Sequence, residues 1–101
     1  MNEPDQIDLN DPFPEPVEID ITDSLDLHAF DPKDVRAVTI AYLDEAHRKG
    51  FGIVRIIHGK GIGVQREIVR SVLRESDVVQ GFRSGDEFSG GSGATVVELR
   101  L

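Results

Sequence analysis

Hydrophobic residues follow two different spacings along this chain, one typical of helices and one typical of strands. Over Pro32–Lys49 apolar side chains recur every three or four residues, which predicts a helix with one buried stripe. Asp31 is placed to cap its first turn, and Gly50 is placed to end it. The same spacing predicts a second helix over Val64–Glu75. Its arginines recur every fourth residue and predict one exposed basic stripe, formed by Arg66, Arg70 and Arg74.

Short apolar runs of the kind found in strands surround these helices. The runs are Leu25–His28, Phe51–Ile57, Val78–Arg83 and Thr95–Leu101. Their order predicts a two-layer βαβαββ sandwich of the α/β class, with two helices on one face of a four-stranded mixed sheet. The first strand–helix–strand unit is expected to be a right-handed crossover between parallel strands. His28 and His58 then lie at the same edge of the sheet, where α/β folds bind ligands.

The N-terminal part lacks this patterning. Residues 1–16 hold four of the five prolines and few large apolar side chains, so we expect a disordered acidic tail before a domain over residues 17–101. Val17–Ile21 alternates apolar and polar residues and predicts an edge strand or an extended arm. The net charge of −8 comes from residues 1–24, which hold eight acids and no Lys or Arg. The tail either keeps the protein in solution or covers a basic surface.

Composition narrows the class of protein further. The chain has no cysteine, which excludes disulfides, thiolate metal sites and a cysteine nucleophile, and which suits a reducing cytoplasm. No stretch approaches the roughly 20 apolar residues of a membrane span, and the N-terminus lacks a secretory pattern. We therefore expect a cytoplasmic monomer that does not associate with membranes.

A glycine-rich turn between the second strand and the second helix carries candidate chemistry. Glycines let backbone N–H groups approach an anion, and the start of a helix adds partial positive charge. The spacing matches neither the dinucleotide-binding pattern nor the P-loop, and a tight turn without a ligand explains the glycines equally well. The residues predicted to bind phosphate are Gly59, Lys60, Gly61, Gly63, Arg66 and Arg70, with Gly91 and Gly93 from the later glycine-rich connection.

Two histidines are candidates for acid–base chemistry, and the predicted catalytic residues are Asp26, His28 and His58. A neutral imidazole can take a proton from water or a ribose hydroxyl, or donate one to a leaving oxygen. Asp26 shares a strand face with His28, but residues two apart lie about 7 Å apart along a strand. Contact between them therefore depends on their rotamers. A metal site of two histidines and one carboxylate is an alternative, and no metal ligand is assigned.

Three motifs occur in a fixed order. They are Leu25-Asp26-Leu27-His28, Ile56-Ile57-His58-Gly59-Lys60-Gly61-Ile62-Gly63 and Gly90-Gly91-Ser92-Gly93-Ala94-Thr95. Together they resemble the Smr (small MutS-related) domain, in its stand-alone bacterial form. The resemblance implies a fold similar to the C-terminal domain of bacterial initiation factor three. It also implies nucleic-acid binding, with nicking of DNA or cleavage of RNA in several members. Ala29, Ile62 and Gln65 stand where the family often has glycine, threonine and leucine.

These features lead to competing hypotheses for function. The first is an endonuclease that cleaves phosphodiester bonds in DNA or RNA. His28 is its general base or acid, supported by Asp26, and His58 is the second acid or base or a phosphate ligand. The second is a nucleic-acid-binding module without turnover, which holds phosphates with the arginines of the second helix. The third is a protein-interaction domain, associated with the ribosome through the acidic arm. The choice between DNA and RNA, and a part for Mg²⁺ or Mn²⁺, are left open.

Overall fold

A computed structural model describes residues 21–59, 63–86 and 91–101. The predicted tail, most of the predicted arm, Lys60 and Gly61 lie outside these ranges. The elements are β1 (Ser24–Asp26), α1 (Pro32–Arg48), β2 (Ile53–Ile57), α2 (Val64–Glu75), β3 (Val79–Ser84) and β4 (Ala94–Leu99), with a short 3₁₀ turn at Gly91–Gly93. Within the described ranges, neither helix is long and apolar enough to cross a membrane.

The strands form one mixed sheet in the order β1-β2-β4-β3. β1 and β2 are parallel, and β4 runs antiparallel to both β2 and β3. The predicted two-layer βαβαββ fold is therefore confirmed. The Leu27 N–H donates to the Ile57 carbonyl at 2.8 Å, so the parallel pairing continues one residue beyond β1. As a result, the chain leaves β1 and β2 side by side at one edge of the sheet.

The core lies between the helices and one face of the sheet. Strand alternation puts Val54 and Ile56 into the core, while Ile53 is 60% exposed on the other face. The helical spacing predicts that Val64 is buried, but it is 48% exposed, because it is the first residue of α2 and lies beyond the core. The helices contribute Val35, Tyr42, Leu43 and Ala46 from α1 and Val69, Val72 and Leu73 from α2, and the strands add Leu27, Val97 and Leu99.

The two helices begin in different ways. Asp31 caps α1 as predicted, because its carboxylate accepts from the Lys33 N–H at 3.2 Å and Pro32 follows at the first helical position. At α2 the capping position is Gly63, with φ of +87° and no side-chain hydrogen bond to the helix. Residues with a side chain rarely adopt this left-handed backbone conformation, which explains the glycine at this position. Gly63 therefore offers no side-chain cap to the N–H groups of the first turn of α2.

Candidate functional site

Asp26 and His28 form a hydrogen-bonded pair at the end of β1. The His28 Nδ1 lies 2.7 Å from the Asp26 Oδ1, and the His28 backbone N–H donates to the same oxygen at 3.0 Å. The spacing of an extended strand does not apply here, because β1 ends at Asp26 and the chain turns at His28. A carboxylate only accepts hydrogen bonds, so Nδ1 carries the proton and Nε2 is the basic nitrogen of the neutral ring.

The surroundings of this pair favour an ionised carboxylate and an accessible imidazole. The side-chain and backbone hydrogen bonds from His28 hold the pKa of Asp26 below its ordinary value of 3.8. The side chains of His28 and Asp26 are 73% and 50% exposed. The pair can therefore meet a large substrate at the surface of the protein without a change in the fold.

His58 has the opposite environment, since it is only 5% exposed. Its Nδ1 lies 3.0 Å from the Gly59 carbonyl oxygen, and its Nε2 lies 2.9 Å from the Thr95 hydroxyl. A carbonyl can only accept, so Nδ1 donates to it, and Nε2 accepts from Thr95 in the neutral ring. Burial lowers the pKa of His58 from the ordinary 6.5, and the positive charges of Arg66 and Arg70 lower it further, against the opposing effect of the Gly59 hydrogen bond.

The backbone after His58 is tied to the glycine-rich turn before β4. The Gly93 carbonyl accepts from the N–H of His58 at 3.0 Å and from the N–H of Gly59 at 2.9 Å. Gly59 has a φ of +82°, which accounts for a glycine at this point. Gly91, also predicted to bind phosphate, donates its N–H to the Asp86 carbonyl at 2.7 Å. In this conformation the amides of Gly59 and Gly91 are engaged within the protein.

Arg66 and Arg70 lie over β3, so the prediction of an exposed stripe is wrong for these two residues. Both are half-buried, while Arg74 is exposed. The Nη2 atoms of Arg70 and Arg66 donate to the Ser84 hydroxyl at 2.9 Å and 3.4 Å, and the Arg70 guanidinium lies 5.6 Å from the Phe82 ring centroid. Among the residues that the structure describes, no carboxylate pairs with either guanidinium, and both Nε atoms are buried without a partner.

A pocket of about 300 Å³ lies between the starts of the two helices. Its described lining consists of Pro32, His58, Gly59, Gly63, Val64, Gln65 and Arg66. The side chain of Gln65 bridges the two helix starts, with its Nε2 3.4 Å from the Phe30 carbonyl. His28 is not part of this described lining. The two histidines thus share one sheet edge, but His28 faces solvent and His58 lies buried at the pocket wall.

The sequence alone did not predict a role in the site for Thr95 or Ser84, or the position of Gln65 in the pocket. Thr95 was visible only as the last residue of a motif, and its contact depends on the antiparallel register that places it opposite Ile56. Ser84 likewise acquires its contacts only when α2 packs on β3. Within the described ranges, no three His, Asp or Glu side chains are grouped so that they could hold a metal ion.

These features define a class of protein: a small two-layer α/β domain with a histidine after each of two parallel strands and a glycine turn before its second helix. A family model for the Smr domain matches residues 25–100, and the chain belongs to this family. The family resemblance inferred from the three motifs is thereby confirmed.

Solved structures and curated relatives agree with this assignment. The Smr domain of Thermus thermophilus MutS2 is 32% identical, with a TM-score of 0.74 over 79% of this chain and 100% of that one. YdaL, a stand-alone small MutS-related protein from Escherichia coli, is 35% identical, with a TM-score of 0.68 over 78% of this chain and 65% of that one. Endonuclease MutS2 of Clostridium acetobutylicum is 41% identical over 79% of this chain, which spans only 10% of that relative.

Proposed function

We propose that this domain binds nucleic acid and cleaves its phosphodiester bonds, with His28 as the general base. The exposed Asp26–His28 pair is the observation that carries the proposal, since the 2.7 Å contact engages Nδ1 and leaves Nε2 as the basic nitrogen of an exposed ring. Relatives that cover most of this chain are named endonucleases, which supports the same chemistry.

In this mechanism each residue of the pair has a separate part. His28 Nε2 takes the proton from an attacking hydroxyl, either water or a ribose 2′-OH, as its oxygen bonds to phosphorus. The bond from phosphorus to the leaving oxygen breaks, and that oxygen takes a proton from solvent. Asp26 holds the imidazole in the required tautomer and stabilises the positive charge that the ring acquires.

Arg66 and Arg70 are proposed to hold the phosphates. Both guanidiniums lie close together on Ser84 and have no carboxylate partner among the described residues. A phosphate would pair with their positive charges and would also be favoured by the start of α2, where Gly63 offers no side-chain cap. Lys60, Gly61 and Gly63 remain predicted contributors to this binding, and Lys60 and Gly61 lie outside the described ranges.

His58 is proposed to act mainly as a positioning residue. Both of its ring nitrogens are engaged, by Gly59 and Thr95, and its lowered pKa keeps the ring neutral at pH 7. A neutral imidazole at this point holds the turn between β2 and α2 in one conformation without adding charge. A role for His58 as a second acid or base stays a prediction, which requires that one of these hydrogen bonds opens in the complex.

A cleavage assay separates this proposal from a binding module without turnover. End-labelled single- and double-stranded DNA and RNA are incubated with the wild-type protein, with EDTA, Mg²⁺ or Mn²⁺. The proposal predicts products from at least one substrate. Binding without cleavage under every condition would exclude the enzyme and favour the binding module. Arg66 and Arg70 also support the binding module, since no carboxylate among the described residues pairs with them.

A further inference from the structure

The pocket between the helix starts has apolar walls, which binding of a phosphate alone would not require. Pro32 and Val64 give it apolar surface, and Val64 is 48% exposed even though it is an aliphatic side chain. A volume of about 300 Å³ is at the lower end of the range for small-molecule pockets, roughly 300–1,000 Å³. The ligand that fits is one with an apolar, compact group attached to an anion.

Gln65 supplies the pocket with directional polar groups. One N–H of its carboxamide donates to the Phe30 carbonyl, with Nε2 3.4 Å from the oxygen. Its second N–H and its carbonyl oxygen have no other partner among the described residues. A carboxamide therefore offers one donor and one acceptor side by side to whatever enters the pocket. A base edge presents the complementary pair of groups.

The positive charges beside the pocket indicate which chemical group the rest of the ligand carries. Arg66 lines the pocket, and Arg70 follows it one turn later along α2. Both lie over Ser84 without a carboxylate partner in the described part of the chain, so they attract an anionic group next to the apolar walls. The pocket therefore suits a flat ring with hydrogen-bonding groups that is joined to a phosphate. A nucleotide whose base is not stacked on its neighbours has these features.

From this arrangement we infer that the pocket takes up one unstacked nucleobase of the nucleic acid and that Gln65 forms hydrogen bonds to it. This inference rests on the proposed nucleic-acid function and adds a substrate class, an unpaired nucleotide. In a duplex the bases are stacked and paired, and reaching one requires flipping it out at a cost of a few kcal/mol. Every nucleobase has an adjacent donor and acceptor on an edge that is free when the base is unpaired, so the glutamine carboxamide can hydrogen-bond to a base without selecting which one.

The test compares fluorescence anisotropy of short labelled oligonucleotides with wild-type protein and with Gln65→Leu. Leucine has similar size but no hydrogen-bonding groups. Wild type should bind a single strand more tightly than the duplex of the same sequence. It should bind oligonucleotides with a central adenine, cytosine or thymine about fivefold or more tightly than the same oligonucleotide with an abasic site there. Gln65→Leu should reduce this preference for a base over the abasic site while the salt dependence of binding persists.

Gln80→Leu is the matched control, since Gln80 is an exposed glutamine on β3 away from the pocket lining, and it should keep the preference. Circular dichroism melting of each variant checks that it is folded. Equal binding of all four oligonucleotides by wild type, or an unchanged preference for a base over the abasic site in folded Gln65→Leu, would overturn the inference. Salt-sensitive binding in those cases would leave the proposed function in place, whereas no binding at all would overturn both.

Discussion

At the scale of single residues, two histidines that look alike in the sequence have opposite surroundings. Each follows an apolar run and each lies just beyond the end of a parallel strand. His28 lies in an exposed turn and contacts a carboxylate, while His58 is buried between a carbonyl and a hydroxyl. The difference arises from strand parity, because His58 continues the buried face of Val54 and Ile56 whereas β1 ends before His28.

Thr95 should contribute to stability through His58. In Thr95→Val the buried Nε2 of His58 loses its donor, which costs about 1–3 kcal/mol in the free energy of unfolding. Thr39→Val is the matched control. Thr39 is equally buried, but its hydroxyl donates to the Val35 carbonyl, which already accepts the helical N–H of residue 39. Urea unfolding of both variants measures the difference, and an equal loss in the two would contradict the role given to Thr95.

The lowered pKa of His58 makes stability depend on pH. Between the pKa of the folded state and that of the unfolded chain, the ring is neutral when folded and protonated when unfolded, so the unfolded state binds more protons there. The free energy of unfolding should be at its full value above pH 6.5 and should fall as the pH is lowered from 6.5 through the pKa of the folded state.

His58→Gln removes this titration and provides the comparison. The amide of glutamine can still donate and accept hydrogen bonds but takes up no proton. Unfolding by urea at a series of pH values should show a smaller loss for His58→Gln than for wild type as the pH falls below 6.5. Parallel curves for the two proteins would show that His58 does not titrate differently on folding.

At the scale of elements, α2 combines a buried apolar stripe with a basic edge over β3. The three- and four-residue spacing locates the buried stripe, at Val69, Val72 and Leu73. The same spacing cannot tell which arginines reach a neighbouring strand. Arg66 contacts Ser84 and Arg70 contacts both Ser84 and Phe82, whereas Arg74 is exposed one turn later.

The position of these arginines predicts a graded effect on nucleic-acid binding. Removing one contact with a phosphate lowers the slope of log affinity against log salt by about 0.9 for duplex DNA or about 0.7 for single strands. Arg66→Gln and Arg70→Gln should each reduce affinity and lower the slope by about this amount. Arg74→Gln, on the same helix but outside the cluster on Ser84, should change the slope less. Anisotropy titrations over a salt series provide the measurement, and the same reduction in all three variants would contradict a site centred on Ser84.

At the scale of the whole molecule, the sequence was enough to predict the fold but only part of the site. The element order and the sheet edge with both histidines follow from hydrophobic spacing and from the geometry of parallel strands. The contacts of His58 with Thr95, and of Gly59 with Gly93, depend on β4 pairing next to β2, although β4 is the last strand of the chain. No local pattern encodes such pairs.

The distribution of charge over the chain also belongs to this scale. The net charge of −8 would argue against nucleic acid if it were spread evenly. Residues 25–101 instead hold equal numbers of acidic and basic residues, and Arg66 and Arg70 lie where the described structure offers no carboxylate partner. A local cluster of positive charge is therefore compatible with an acidic protein.

The central claim, that the Asp26–His28 pair performs the cleavage, is tested most directly by single-turnover cleavage of a labelled substrate. His28→Ala should lower the rate roughly 100-fold or more, since the base that accepts the proton is lost. It should leave affinity nearly unchanged, because the phosphates are held by the arginines of α2. His47→Ala, which removes a histidine on α1 that lies outside the pair, should cleave at the wild-type rate. Equal rates for His28→Ala and wild type would contradict the account.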